Sequence, residues 1–132
     1  MGFKFSLEAF EAALASLEDA MMPPPRNDRE RDGAIQRFEY TLEVAWKSGQ
    51  KLLNLKGVEA LSPKAVFREL AKQKIVNDAQ RWIDYVDARN TTSHIYKKSV
   101  AEYVFSHIGT FVSDAKDLLN AMRTDIDASD SN

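Results

Sequence analysis

The sequence predicts an all-α fold, an antiparallel up-and-down bundle of four main helices plus a short one, and three observations predict it. Apolar residues recur at spacings of three and four along most of the chain, which lines them up on one face of a helix rather than on the alternating faces of a strand. No stretch sustains period-two alternation, and no Asn-Gly or Asp-Gly pair separates two β-rich runs, because Asp32–Gly33 lies inside a helical pattern. Proline, glycine and capping residues fall between the apolar runs, so links are short and successive helices lie antiparallel. No internal repeat is evident.

The first run is Leu7, Phe10, Leu14, Leu17 and Met21, a helix starting near Ser6. Met22–Pro23–Pro24–Pro25 ends it, because three prolines remove backbone donors and fix φ. Asn27 or Asp28 caps the second helix, which Ile35, Phe38, Leu42, Ala45, Gly49 and Leu52 place over about Asp28 to Leu55, with Gly57 as its C′ residue. At about 1.5 Å per residue it is about 40 Å long and demands long partners. Ser62–Pro63 is an N-cap with proline at the first helical position, opening a shorter helix through Val66, Phe67 and Leu70. Asn77 followed by Gln80 caps a helix carrying Trp82, Ile83 and Val86. Ser99 followed by Glu102 opens the last one, with Val104, Ile108, Phe111, Ala115, Leu118 and Met122 as its packed stripe. Residues 1–122 are therefore expected to form one domain, and 123–132, with only Ile126 large and apolar, a frayed and disordered polar tail.

Composition excludes several functions. The 132 residues are 44% hydrophobic and 29% charged, which suits a single globular domain. Lys+Arg 18 against Asp+Glu 20 gives a net charge of −2, so attraction to nucleic acid must be local rather than global. Zero cysteines exclude disulfides, thiolate zinc sites and thiol nucleophiles. No apolar stretch approaches the roughly 20 residues of a membrane span. The opening Met1–Ser6 does not read as a secretory leader, so the expected location is the cytoplasm. None of the five glycines forms a GxGxxG or GxxxxGK loop, which argues against a self-sufficient kinase, NTPase or dinucleotide-binding dehydrogenase.

The most unusual stretch is Asp87 to Lys98, where the apolar pattern gives way to Arg89–Asn90–Thr91–Thr92–Ser93–His94. The Ile83, Val86 stripe continues onto Asn90, an amide where a core would want Leu or Val. On a continuous helix Asn90 and His94 are neighbours, about 40° apart, whereas Arg89 and His94 are about 140° apart, so a two-fold dimer is a natural way to gather them. A purely structural alternative pairs Arg89 with Asp84 or Asp87, makes His94 a helix C-cap and has Thr91, Thr92 and Ser93 fray the helix end. Residues 64–98 carry eight Lys/Arg against four Asp/Glu, a local excess of +4 of the kind a phosphate site uses.

Arg89 to His94 resembles the R-x4-H motif of HEPN domains, and with Ile95–Tyr96 the R-x4-H-x-Y form found in HEPN partners of minimal nucleotidyltransferases. The helix segment Ala34–Ile35–Gln36–Arg37–Phe38–Glu39–Tyr40–Thr41–Leu42–Glu43–Val44–Ala45–Trp46–Lys47 is similar to the signature of the subfamily called nucleotidyltransferase substrate-binding proteins, and the likeness spans about Asp28 to Met122. The resemblance implies a homodimeric bundle that forms a complex with a cognate minimal nucleotidyltransferase. In one role it implies a metal-independent, cofactor-free ribonuclease toxin that cleaves RNA. His94 is then the general acid or base, Arg89 the phosphate holder and Asn90 a residue orienting the cleft, with Lys97 and Lys98 as RNA contacts. The partner is the antitoxin and transfers AMP to Tyr96, whose added anion repels RNA. In the other role the resemblance implies a non-catalytic subunit that binds the acceptor substrate of the nucleotidyltransferase.

Other residues read as structural. Glu39, Glu43 and Lys47 share a helical stripe and suit salt bridges more than a partner-facing surface. An E-x3-E pair lacks the paired Glu-x-x-His of carboxylate-bridged bundles, so no metal is expected. His107 lies between packed residues, and Trp46, Trp82 and Tyr85 suit a core more than base stacking.

Overall fold

A computed structural model describes residues 6–130, and the opening segment, expected not to be a leader, lies outside the described residues except for Ser6. Among them the elements are α1 (Glu8–Met21), α2 (Asp28–Leu55), α3 (Pro63–Lys72), α4 (Ala79–Arg89), a short 3-10 turn (Thr92–His94), α5 (Lys98–Phe105) and α6 (Ile108–Asp130). The all-α bundle expected from the periodicity is what forms.

Local chemistry sets the ends. Asn27 accepts from the Glu30 amide at 2.9 Å, and Glu30 accepts in return from the Arg26 amide at 2.9 Å, so α2 starts where its first donors are satisfied. It stops with Gly57 at φ 80°, while the Val58 amide reaches back to the Leu53 carbonyl at 2.8 Å. Ser62 caps α3 at 3.3 Å, as expected. The same C-terminal motif ends α3, with Ile75 bonding back to Leu70 at 2.9 Å, but its left-handed residue at φ 62° is Lys74. A lysine gives no sequence signal for that conformation, which glycine adopts at far lower cost.

Three expectations need correction. The N-cap of α4 is Asp78, which accepts from the Arg81 amide at 3.2 Å, and not Asn77. The last helix begins at Lys98 without a side-chain cap from Ser99, and it breaks at Ser106–His107. There the Tyr103 carbonyl lies 2.6 Å from the Ser106 hydroxyl and 2.9 Å from His107 Nδ1, while the His107 amide turns to Val104 at 3.0 Å. Side chains have taken the acceptor that the helical ladder needed. The apolar stripe nevertheless stays buried on both sides of the break, from Val104 and Ile108 to Met122. Finally, α6 runs as helix to Asp130, through most of the stretch expected as a frayed tail. Asp125 pairs with Lys56 at 3.1 Å and Ile126 packs on the core, which hold that end in place.

Contacts give the directions. Thr41 on α2 bonds the Ala13 carbonyl and Tyr40 bonds Ser16, so α1 and α2 run antiparallel. Glu11 pairs with Arg123 and Glu18 with Lys116, so α1 and α6 do too. Arg81 holds Asp114 through two bonds of 2.9 Å, and Phe111 meets Tyr85, which sets α4 antiparallel to α6. Phe111 is the centre of the core, with the rings of Phe38, Trp82 and Tyr85 within 5.7 Å between centroids, all edge-on. The short α3 closes the bundle by stacking Phe67 on Trp82 at 4.6 Å.

These packing details have measurable consequences. Lys74→Gly relieves the left-handed backbone and is expected to raise unfolding free energy by about 0.5–1 kcal/mol in a denaturant titration. Burial, aided by the bond to Asp114, pushes the Tyr85 phenol up to about 12. The folded state therefore keeps its proton while the unfolded chain loses it near pH 10, so this contribution to stability is complete below about pH 10 and falls away as pH rises towards 12. Alkaline unfolding compared between wild type and Tyr85→Phe checks this, and the variant should lack that component.

Candidate functional site

The polar stretch forms a sharp exit from α4 rather than a continuation of it. The Thr91 hydroxyl donates to the Ala88 carbonyl at 2.7 Å, and the Thr92 hydroxyl lies 2.8 Å from the Arg89 carbonyl. These side chains compete for the last helix acceptors and stop α4 at Arg89, with the 3-10 turn next along the chain. Helical angles between Asn90 and His94 therefore do not apply. The buried face of α4 is Trp82, Tyr85 and Val86, and its next helical position is Arg89. Asn90 caps the helix and is exposed, which corrects its expected place in the core stripe.

Helix α2 holds this turn from below. Glu39 lies 2.9 Å from the hydroxyl of the buried Thr92, so one carboxylate from mid-α2 anchors the turn. One helical turn further on, Glu43 lies 3.9 Å from the Arg89 guanidinium, 2.9 Å from Lys47 and 3.1 Å from the Trp46 indole nitrogen. Lys47 above all, and then Trp46 and Arg89, hold the Glu43 carboxyl below the usual carboxylate range against the cost of its burial. The salt-bridge reading of this stripe holds for Glu43 and Lys47, but Glu39 and Glu43 also support the motif-bearing turn. Their four-residue spacing is the only sequence signal of it.

Of the structural roles open to the motif, Thr91 and Thr92 do end the helix, but neither the pairing of Arg89 with Asp84 or Asp87 nor the His94 cap is realised. Asp84 bonds Gln80 and Asp87 pairs with Lys64 at 2.7 Å, leaving Arg89 to Glu43. His94 caps no helix with its side chain; its Nδ1 lies 3.3 Å from the Tyr96 hydroxyl. Tyr96 is 76% exposed, with the Lys97 ammonium 6.0 Å from its ring. Among the described residues neither the Arg89 nor the Asn90 side chain makes a hydrogen bond, and no hydrogen bond joins Arg89 to His94. The structure thus brings Arg89 together with Asn90, and His94 with Tyr96 and Lys97. Lys98 is exposed at the start of α5.

A cavity of about 130 Å³ opens beside the motif, lined by Trp46, Pro63, Val86, Glu43, Arg89 and Asn90 among others. Trp82 and Tyr85 are core, as expected, whereas Trp46 is half-buried on this cavity. His107 is half-buried at the helix break against Tyr85 and Tyr103. Lys64, Lys72 and Arg81 of the basic sector are committed to Asp87, Glu69 and Asp114. The positive charge left over is that of residues such as Arg68, Lys97 and Lys98. No group of three or more His, Asp or Glu among the described residues is placed to hold a metal ion, and none of their helices is long and apolar enough to cross a membrane.

The family described as nucleotidyltransferase substrate binding protein like matches residues 5–124. A Haemophilus influenzae protein named probable ribonuclease HepT is 30% identical over 136 residues, covering 91% of this chain and 93% of that protein. A Thermus thermophilus crystal structure superposes with TM-score 0.81 at 36% identity, over 86% of this chain and 98% of the other. A Haemophilus influenzae structure, described as revealing the fold of a substrate binding domain of a nucleotidyltransferase, gives TM-score 0.78 at 29% identity, over 89% and 99%.

Removing the hydroxyl that ties the turn to α2 strands a half-buried carboxylate. Thr92→Ala is expected to lower unfolding free energy by about 1–2 kcal/mol in urea, and Thr92→Ser to recover most of it.

Proposed function

This chain belongs to the nucleotidyltransferase substrate binding protein like family, and from that premise we propose that it is a metal-independent HEPN ribonuclease toxin, neutralised by a cognate minimal nucleotidyltransferase. The relative named probable ribonuclease HepT supports the activity. The observation that carries the reading is the loosely held chemistry of the turn: among the described residues, an Arg89 guanidinium tied only by a 3.9 Å ion pair to Glu43 and a His94 imidazole bonded only to an exposed Tyr96. A structural motif would have used these groups in the fold.

In the proposed reaction an RNA 2′-hydroxyl attacks the adjacent phosphorus. The new O–P bond forms as the bond to the 5′-oxygen breaks, leaving a 2′,3′-cyclic phosphate and a 5′-hydroxyl. One imidazole takes the 2′ proton and another protonates the leaving oxygen, while Arg89 holds the charge building on the phosphate. One chain supplies a single His94, with no hydrogen bond to its Arg89, so a homodimer that faces two turns across a two-fold axis completes the set. Asn90 orients the strand and Lys97 and Lys98 hold its backbone. Neutralisation proceeds by AMP transfer: the Tyr96 oxygen attacks the α-phosphorus of ATP on the partner, pyrophosphate leaves, and the phenolic proton passes to a base. The cytoplasm, where RNA and ATP are both present, is the location this reading requires.

The second reading is a substrate-binding subunit, favoured by the described role of the Haemophilus structure and by the cavity beside Arg89. There Arg89, Asn90 and His94 recognise the acceptor that the nucleotidyltransferase modifies.

Expression of the protein alone is expected to arrest growth and fragment total RNA, with His94→Ala slowing cleavage about 10²- to 10⁴-fold, the range for a lost general acid or base. Arg89→Ala should abolish it as well. Coexpression with the nucleotidyltransferase should restore growth and add the mass of AMP, unless Tyr96 is replaced by Phe. Intact RNA from a folded wild-type dimer would move the assignment to the substrate-binding subunit.

A further inference from the structure

Beside the turn, the cavity of about 130 Å³ is well below the roughly 300 Å³ of a pocket for a drug-sized ligand. It accepts one ring system, not a whole nucleotide. Its wall is the half-buried Trp46, whose indole nitrogen is tied to Glu43 at 3.1 Å while Glu43 is itself tied to Lys47 at 2.9 Å. The ring is thereby held in place before any ligand arrives, so ordering it costs little on binding. At the mouth stand Asn90 and Arg89, an amide and a guanidinium without hydrogen bonds among the described residues. A flat apolar wall, an unpaired donor–acceptor edge and a cation without a hydrogen bond are the three elements that recognise a nucleotide.

We propose that Trp46, Asn90 and Arg89 form a nucleobase subsite: the indole stacks one base of the strand, the Asn90 amide reads its edge, and Arg89 holds the phosphate beside it. The subsite rests on the ribonuclease reading for the strand being RNA, while its capacity to take a base is independent of cleavage. An amide offers one donor and one acceptor side by side, the complement of the N6 and N7 atoms of adenine. The N4 and N3 atoms of cytosine offer that amide the same pattern, so it is the larger purine face against the indole that makes adenine the preferred base. The Glu43–Arg89 contact is 3.9 Å and half-exposed, a pair worth little in water, so a phosphate can draw the guanidinium away from it. Trp82 and Tyr85 are sealed in the core and cannot serve.

The chain carries two tryptophans, and Trp82 is 3% exposed, so quenching by an added base reports on Trp46. Titration with AMP, GMP, CMP and UMP is expected to quench wild-type fluorescence saturably, AMP at the lowest concentration. Equilibrium dialysis with labelled AMP should show binding weakened about 5- to 100-fold in Trp46→Ala, the range for one lost stacking partner, and retained in Trp46→Phe. Asn90→Ala, a change at an exposed position, should leave the thermal melt unchanged and level the preference among the four nucleotides. Equal AMP binding by wild type and a folded Trp46→Ala overturns the subsite, as does the absence of quenching by any of the four. RNA cleavage assayed on the same preparations separates the two ideas. Cleavage with no quenching removes the subsite alone, and quenching with intact RNA removes the ribonuclease reading while the subsite stands.

Discussion

Helix α2 must serve two sides at once, and this constraint shapes the rest of the molecule. Over 28 residues one stripe of it is sealed in the core, from Ala34 and Ile35 through Phe38, Leu42 and Ala45 to Leu52 and Leu53. Small residues on that stripe let partners come close. A Cβ added at Gly49 would meet Leu70 at 2.8 Å and Val66 at 3.0 Å, so α3 can sit where it does only because that position has no side chain. Leu70 and Val66 are fully buried and have little room to yield. The flank of the same helix carries Glu39 and Glu43 up to the end of α4. Core packing therefore sets the position of the carboxylates that hold the motif.

The turn after α4 shows why a chain would place five polar residues, Asn90 to His94, where helix could have continued. Thr91 takes the terminal Ala88 carbonyl, which helps end the helix without glycine, and the buried Thr92 hydroxyl shares its one proton between the Arg89 carbonyl and Glu39, tying the new direction to α2. Arg89 itself carries little structural duty. An exposed ion pair at 3.9 Å contributes about 0–1 kcal/mol at most, whereas a guanidinium bonded to a phosphate gains charge-assisted bonds of about 1.5–3 kcal/mol each. The balance favours an Arg89 that waits beside Glu43 and leaves it for a phosphate.

Much of the fold is legible in the sequence because it depends on periodicity and strong caps. The span of α2, the Ser62–Pro63 start of α3 and the left-handed Gly57 are each written in residue types with one strong preference. The features that differ from expectation share a cause. Asp78 for Asn77 and the break at Ser106–His107 depend on which of several competent side chains reaches an acceptor first, and the left-handed Lys74 on backbone bonds that close the end of α3, none of which residue type alone announces. The helical tail is hidden in the sequence because its stability comes from Lys56, far away along the chain, and from the docking of Ile126. At the site, the motif residues are visible as a gap in the apolar pattern, but a register drawn through Ile83 instead of Trp82 misplaces them. That one-residue difference exchanges the half-buried position between Asn90 and Arg89. Trp46 is invisible as a cavity wall because an aromatic at helical spacing looks the same in sequence whether its second face is covered or open.

The proximity of Tyr96 to His94 gives the proposed neutralisation a physical basis at the level of single atoms. Among the described residues, the hydroxyl that would receive AMP is the one group within hydrogen-bonding distance of the imidazole, at 3.3 Å, and Lys97 lies 6.0 Å from the same tyrosine ring. A phosphodiester on that oxygen removes its proton as a donor, fills the space in front of His94, and sets a negative charge within about one Debye length of Lys97. One modification then withdraws the imidazole and a backbone-holding cation together, and it repels the RNA phosphates that both would meet. Tyr96 needs its exposure of 76% for this, since a group that must enter another enzyme's active site cannot be packed into its own fold. The same exposure would be a poor choice for a purely structural tyrosine, whose ring gains its stabilisation from burial.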